Sequence, residues 1–235
     1  MSSFEGSPFT AQNFLGKVRL FPLPNLVLFP HVMQPLHIFE PRYRCLLEDT
    51  LATDRLVAMA LLTPGWESDY EGRPPLCPVA CLSRVATYHC LEDGTYNVLL
   101  LGLQRVRLVR EIESQKLYRE AEVTLCEDCY PVCPGPTGRV LQQRLRDAFV
   151  RALPLLPEAQ EQMDQLLATD LSLGVLTDVI SFMLEIAIGH KETLLAEVNV
   201  HRRAQMLLEH LESIAKKPTP QNGAAEAFLP RFSMN

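Results

Sequence analysis

Between Val18 and Tyr43 the chain reads VRLFPLPNLVLFPHVMQPLHIFEPRY, almost wholly apolar yet interrupted by Pro22, Pro24, Pro30 and Pro35. Each proline fixes φ and removes a backbone donor, so neither one long helix nor one long central strand can run through the segment. What remains is a set of short extended pieces joined by stiff corners. A chain that turns so often while staying apolar builds a small β-barrel. Glu40-Pro41-Arg42 then opens a helix, with Pro41 in the first turn, where its missing N–H is harmless.

The pattern predicts short strands at Lys17–Phe21 and Leu26–Phe29. Across Pro41–Thr53, Tyr43, Leu46, Leu47, Thr50 and Leu51 line one helical face. Leu56–Leu62 is a continuous apolar run of strand length, buried on both sides. Pro78–Cys90 reads as a strand with a bend, and Asp93-Gly94 is a hairpin signal before Tyr96–Leu101. Leu103–Ile112 and Tyr118–Leu125 follow as further strands. In the last, Ala121, Val123 and Leu125 alternate with Glu120, Glu122 and Thr124, as a half-buried strand should. Six or more short strands with one helix fit a barrel better than a parallel α/β sheet. Residues 1–16, with Phe4, Phe9 and Phe14, form a loosely ordered arm that drapes over the domain or frays.

At PVCPGPTG, residues 131–138, breakers cluster and the composition changes. Beyond it every segment has helical period. Leu141, Leu145, Ala148, Phe149 and Ala152 form one face, and Met163, Leu166 and Leu167 a shorter one. Leu173, Leu176, Ile180, Met183, Leu184 and Ala187 form a third, which Gly189 is expected to end. Thr193–Val198 reads as a short helical turn. Asn199 then caps a helix whose stripe is Val200, Ala204, Leu207, Leu208, Leu211 and Ile214. The expected organisation is an arm (1–16), a β-barrel subdomain (17–133), a helical bundle (134–216) and a flexible tail (217–235), an α+β chain.

Apolar residues make up 47% of the chain and charged ones 21%, enough for a real core. With 22 basic against 28 acidic residues the net charge is −6, which disfavours nucleic acid and anionic membrane as partners. The longest apolar candidate for a membrane span, Leu171–Ile188, carries Asp178 and Glu185. No basic-then-apolar leader opens the chain, so a cytoplasmic location is expected and the seven cysteines read as reduced thiols.

The chemistry-bearing motifs are sparse. The single Gly-Lys pair, Gly16-Lys17, is followed by Val18 rather than Ser or Thr, so there is no Walker A loop. Neither G-x-S-x-G nor H-E-x-x-H occurs. Ser213-x-x-Lys216 has serine–lysine spacing but sits at a solvated helix end. Cys126, Cys129 and Cys133 are spaced to share a zinc ion, with Cys77 and Cys81 as completing ligands; a strong zinc signal has two C-x2-C pairs and this has one. The preferred reading is small apolar cysteines at a strand end, with no metal and no cofactor. His37 reads as a core histidine, and Arg105 and Arg107 as partners of Glu120 or Glu122 across a sheet. No catalytic residue is assigned. The long loop TPGWESDYEGRPP, residues 63–75, carries Trp66 and Tyr70, the candidates for anchoring a partner. The competing reading has Trp66 folding back to cap the barrel.

Taken in order, LFPLPNLVLFPHVMQPLHIFEPRYR, PGWESDYEGRPP, CPVACLSRV, DGTYNVLLLGLQRVRL, YREAEV, LSLGVLTDVISFMLEI and KETLLAEVNVHRRAQMLLEHLE resemble the N-terminal, substrate-binding domain of the ATP-dependent Lon proteases from about residue 17 to 216. The resemblance implies a PUA-like pseudo-barrel with one inserted helix, followed by a helical bundle. It implies recognition of unfolded polypeptide or of a partner protein, as in the standalone Lon-domain proteins of bacteria, without the AAA+ module or the Ser–Lys peptidase. Pro22, Pro24, Phe29, Pro35, Ile38, Phe39, Glu40, Arg42 and Tyr43 match the signature as architecture, with Glu40 and Arg42 tying the first helix to the barrel. Two alternatives are an ATP-dependent-protease-related peptidase and a PUA-like RNA-binding protein. A third is a small-ligand pocket between barrel and bundle.

Overall fold

A computed structural model describes residues 9–70, 72–131, 138–152, 171–215 and 233–234. The strands are β1 (Lys17–Leu23), β2 (Met33–Ile38), β3 (Leu56–Leu61), β4 (Val79–Cys90), β5 (Tyr96–Ile112), β6 (Arg119–Cys126) and the two-residue β7 (Ser233–Met234). The helices are α1 (Pro41–Leu51), α2 (Gly138–Ala152), α3 (Leu173–Met183), α4 (Ile188–Ala196) and α5 (Val200–Ala215). Two compact units result, residues 1–127 with 230–235, and residues 128–229. Among the described residues no helix is long and apolar enough to cross a membrane.

The first unit is a mixed pseudo-barrel. β1 runs parallel to β3, and β3–β4, β4–β5, β5–β6 and β6–β1 are antiparallel, which closes a ring of hydrogen bonds. The long β5 serves two neighbours along one edge, β2 against Tyr96–Leu101 and β6 against Arg105–Ile112. Inside the ring sit Val18 and Leu20, Ala58 and Ala60, Ala80 and Leu82, Val106, Ala121 and Val123. Alanines facing larger residues fit the narrow interior of so small a barrel. β3 is buried at all six positions, as its unbroken apolar run requires. Phe9 and Phe14 of the arm meet edge-on, 6.0 Å between centroids, and pack on this core; Phe4 lies outside the described residues.

Three sequence expectations are corrected here. Leu26–Phe29 is no strand. Val27, Leu28 and Phe29 are buried, but the segment is a core-filling loop, and Gly102 brings its backbone against it. A Cβ on Gly102 would lie 2.0 Å from the Phe29 carbonyl oxygen. For the same reason Gly102 does not divide β5, which runs unbroken from Tyr96 to Ile112. Arg105 and Arg107 stand opposite Cys126 and Thr124, so Glu122 pairs with Arg110 and Glu120 with Lys17 instead. The Asp93-Gly94 hairpin forms as read. Gly94 has φ 77° and the Thr95 N–H donates to Asp93 Oδ1 at 2.9 Å.

In the second unit α3 stops at Met183, short of Gly189, which lies inside α4. Leu184 is already extended. Lys191 Nζ donates to the Phe182 carbonyl at 2.8 Å, satisfying one of the helix-end acceptors. Asn199 caps α5 as expected, its Oδ1 accepting from the Arg202 N–H at 3.1 Å. The fully buried Arg203 is the hub of this unit. It donates to both Asp128 carboxylate oxygens (3.1 and 2.8 Å), to Thr177 Oγ1 (2.8 Å) and to the Glu197 carbonyl (2.7 Å), and lies 3.5 Å from the buried Asp178. Met163, Leu166 and Leu167 lie outside the described residues.

Candidate functional site

The N-terminus of α1 meets the loop of residues 63–75 through one compact cluster. Glu40 precedes Pro41 with extended backbone, so its side chain is free to turn toward the loop. Its Oε2 accepts from Arg42 Nε at 3.0 Å, and its Oε1 accepts from the Tyr70 hydroxyl at 3.0 Å. Arg42 Nη1 donates to the Tyr70 carbonyl at 3.2 Å. The guanidinium carbon lies 4.8 Å from the centre of the Tyr43 ring and 4.6 Å from that of Tyr70, a cation held between two aromatic faces. Arg42 Nη2 lies 2.8 Å from Glu40 Oε2 and completes the ion pair.

Below, Tyr43 stacks on Phe21 at 4.2 Å and its hydroxyl donates to the Pro22 carbonyl at 2.7 Å, anchoring the helix to β1. Burial pushes the Tyr43 phenol well above its ordinary range. Burial also raises the Tyr70 phenol, and its hydrogen bond to Glu40 and that group's charge add to the shift. Both rings stay protonated donors at neutral pH.

This cluster forms one wall of a cavity of about 470 Å³. Gly72 and Arg73 supply a second side, and Lys116, Leu117, Tyr118 and Arg119, entering β6, supply the third. Arg119 donates to the Pro74 carbonyl at 2.8 Å and pairs with Glu111, so it fastens the loop to the sheet. Lys116 and Tyr118 share the Asp49 carboxylate, Lys116 at 2.8 Å. The hydrogen bonds from Lys116 and Tyr118 hold Asp49 below the usual carboxylate range, and Lys116 is raised by the same contacts, Asp49 first. Leu117 is 67% exposed at the rim. The lining thus carries four cationic side chains, of which Arg42, Lys116 and Arg119 are ion-paired with Glu40, Asp49 and Glu111, with aromatic and apolar surface between them. Among the described residues it holds no serine, cysteine or histidine. It can accept carbonyl and carboxylate oxygens and seat an apolar side chain.

The two candidates named from the sequence fall at this cluster. Tyr70 is part of the cavity wall's hydrogen-bond network. Trp66, half-buried, starts the 3-10 turn Trp66–Asp69 and meets Tyr70 edge-on at 5.4 Å. Sequence reasoning missed Arg73, Lys116, Leu117 and Arg119. The available signal was Lys116-Leu117-Tyr118-Arg119 itself, an apolar residue between bases just before a strand. For the cysteines, Cys77 and Cys81 are buried, Cys126 is half-buried, Cys129 is exposed, and Cys133 lies outside the described residues. Among the described residues no three His, Cys, Asp or Glu side chains gather as a metal site.

The family model of the ATP-dependent protease La (LON) substrate-binding domain matches residues 17–213. Lon protease 1 of Bdellovibrio bacteriovorus is 27% identical over 220 residues, covering 94% of this chain and 27% of that protein. Lon protease 2 of Desulfotalea psychrophila is 28% identical over 194 residues, 82% of this chain and 24% of that protein. The chain spans about a quarter of the length of these curated relatives. In structure it is similar to the N-terminal domain of Mycobacterium avium complex Lon protease, with TM-score 0.66 and 15% identity over 83% of this chain and 98% of that one. It is also similar to a Lon N-terminal domain protein from Xanthomonas campestris, with TM-score 0.58 and 23% identity over 82% and 97%. These likenesses establish the fold, a PUA-like pseudo-barrel followed by helices, and the match across most of the sequence establishes the kinship: this chain belongs to the LON substrate-binding domain family.

Proposed function

We propose that the chain is a non-catalytic polypeptide-recognition domain serving as an adaptor in protein quality control or proteolysis, with Trp66, Tyr70 and the adjoining cavity as its contact surface. The observation that carries this reading is the cavity lining, where Arg42, ion-paired with Glu40 and held against the Tyr43 and Tyr70 rings, adjoins Arg73 and the exposed Leu117. Leu117 lines the cavity and Trp66 packs on Tyr70 beside it, apolar anchors of the kind that dominate recognition surfaces. The matched family is by name a substrate-binding one.

The test is binding of a labelled, reduced and carboxymethylated protein that stays unfolded. Trp66→Ala and Leu117→Asp each weaken binding about tenfold with Tm almost unchanged, since neither side chain is in the core. Unchanged affinity in both variants overturns the cavity as the contact surface.

A further inference from the structure

The open edge of β2 is a second surface with a legible purpose. Its register against β5 runs from Met33↔Leu101 to Ile38↔Tyr96. One step before that register begins, the Gly102 N–H donates to the Val32 carbonyl at 2.9 Å. In an antiparallel pair such bonded positions alternate. Val32, Gln34, Leu36 and Ile38 therefore aim their backbone groups at β5, while Met33, Pro35 and His37 aim theirs outward. Pro35 fits this parity, since its missing N–H falls on the outer edge where no ladder bond to β5 is lost.

That outer edge is not empty. Ser233 and Met234 pair with Leu36 and His37 in parallel. A strand in this register meets the Pro35 carbonyl, then the His37 N–H and carbonyl. Going the other way it meets the gap where Pro35 has no amide. Met33, 54% exposed, and Phe39, 44% exposed, stand at the two ends of the edge.

We propose that the β2 edge is a strand-addition seat for extended polypeptide, and that the chain's own residues Ser233–Met234 hold it in competition with that ligand. Backbone pairing supplies affinity with little demand on sequence, which suits recognition of unfolded chains. The ligand class rests on the polypeptide-recognition reading above; the seat itself rests only on the β2 register and the β7 pairing.

The test compares the full chain with two variants, deletion of residues 218–235 and Ser233→Pro, which removes the amide facing the Pro35 carbonyl while keeping the length. The probe is reduced, carboxymethylated α-lactalbumin labelled with a fluorophore. Both variants bind it about tenfold more tightly than the full chain, and a synthetic peptide of residues 224–235 competes the gain away. Equal, measurable affinity in all three proteins overturns the competition and leaves the polypeptide reading standing. Hydrogen exchange at the His37 amide judges the seat without any substrate. Slow exchange in the full chain, fast exchange in both variants and slow exchange again with added peptide support it. Fast exchange in the full chain overturns it, even where the α-lactalbumin result upholds recognition through the cavity.

Discussion

Tyr43 shows how a single side chain joins three jobs. Its ring covers Phe21, its face carries the Arg42 guanidinium and its hydroxyl satisfies the Pro22 carbonyl. Tyr43→Phe keeps the first two and leaves the carbonyl without that donor, a loss of about 1–2 kcal/mol in urea unfolding. The phenol adds a pH signature. In the unfolded chain it ionises near pH 10, a typical tyrosine value, and in the folded chain burial holds it higher. Stability from this group is therefore complete below about pH 10 and falls as pH rises beyond it, because the unfolded state then binds fewer protons. In Tyr43→Phe the alkaline decline between about pH 10 and 11.5 should be shallower. The residue scale was also where the sequence was least readable. Trp66 and Tyr70 stood out because a long breaker-rich loop makes aromatics conspicuous. Arg73 and Lys116 did not, because a lone base has no pattern until folding brings its neighbours to it.

Elements with strong periodicity were legible: α1 from its stripe and Pro41, β3 from its unbroken apolar run, the β4–β5 hairpin from Asp93-Gly94. Glycine was the source of error. Gly102 looked like a break between strands and is a point of close backbone approach; Gly189 looked like a helix stop and lies inside α4. A sequence read locally cannot separate a glycine needed for its own φ from one needed by a distant carbonyl. Gly102→Ala distinguishes them. A methyl directed at the rigid Phe29 backbone forces β5 and the Leu26–Phe29 loop apart, at a cost of about 3 kcal/mol, whereas a mere strand break would gain from alanine. Urea midpoints of the two proteins give the answer.

The chain divides into two compact units, and its one tryptophan, Trp66, lies in the barrel unit. Tryptophan fluorescence therefore reports that unit, while far-UV circular dichroism at 222 nm is weighted to the helices. Arg203→Ala leaves the Asp178 carboxylate buried without its guanidinium and releases Asp128 from α5. Removing one member of a buried ion network costs about 3–5 kcal/mol. The dichroism transition should move to clearly lower urea, and the fluorescence transition much less. The change from strand to helical pattern near residue 131 was visible in composition; the Asp128–Arg203 lock was not, since its partners lie 75 positions apart.

The absent amide at Pro35 also bears on crowding. Two copies meeting edge to edge along β2 would each present a carbonyl where the other needs a donor, so the ladder stalls after a few rungs. A surface able to greet a stretched chain is thereby denied the means to zip copy onto copy into a fibre.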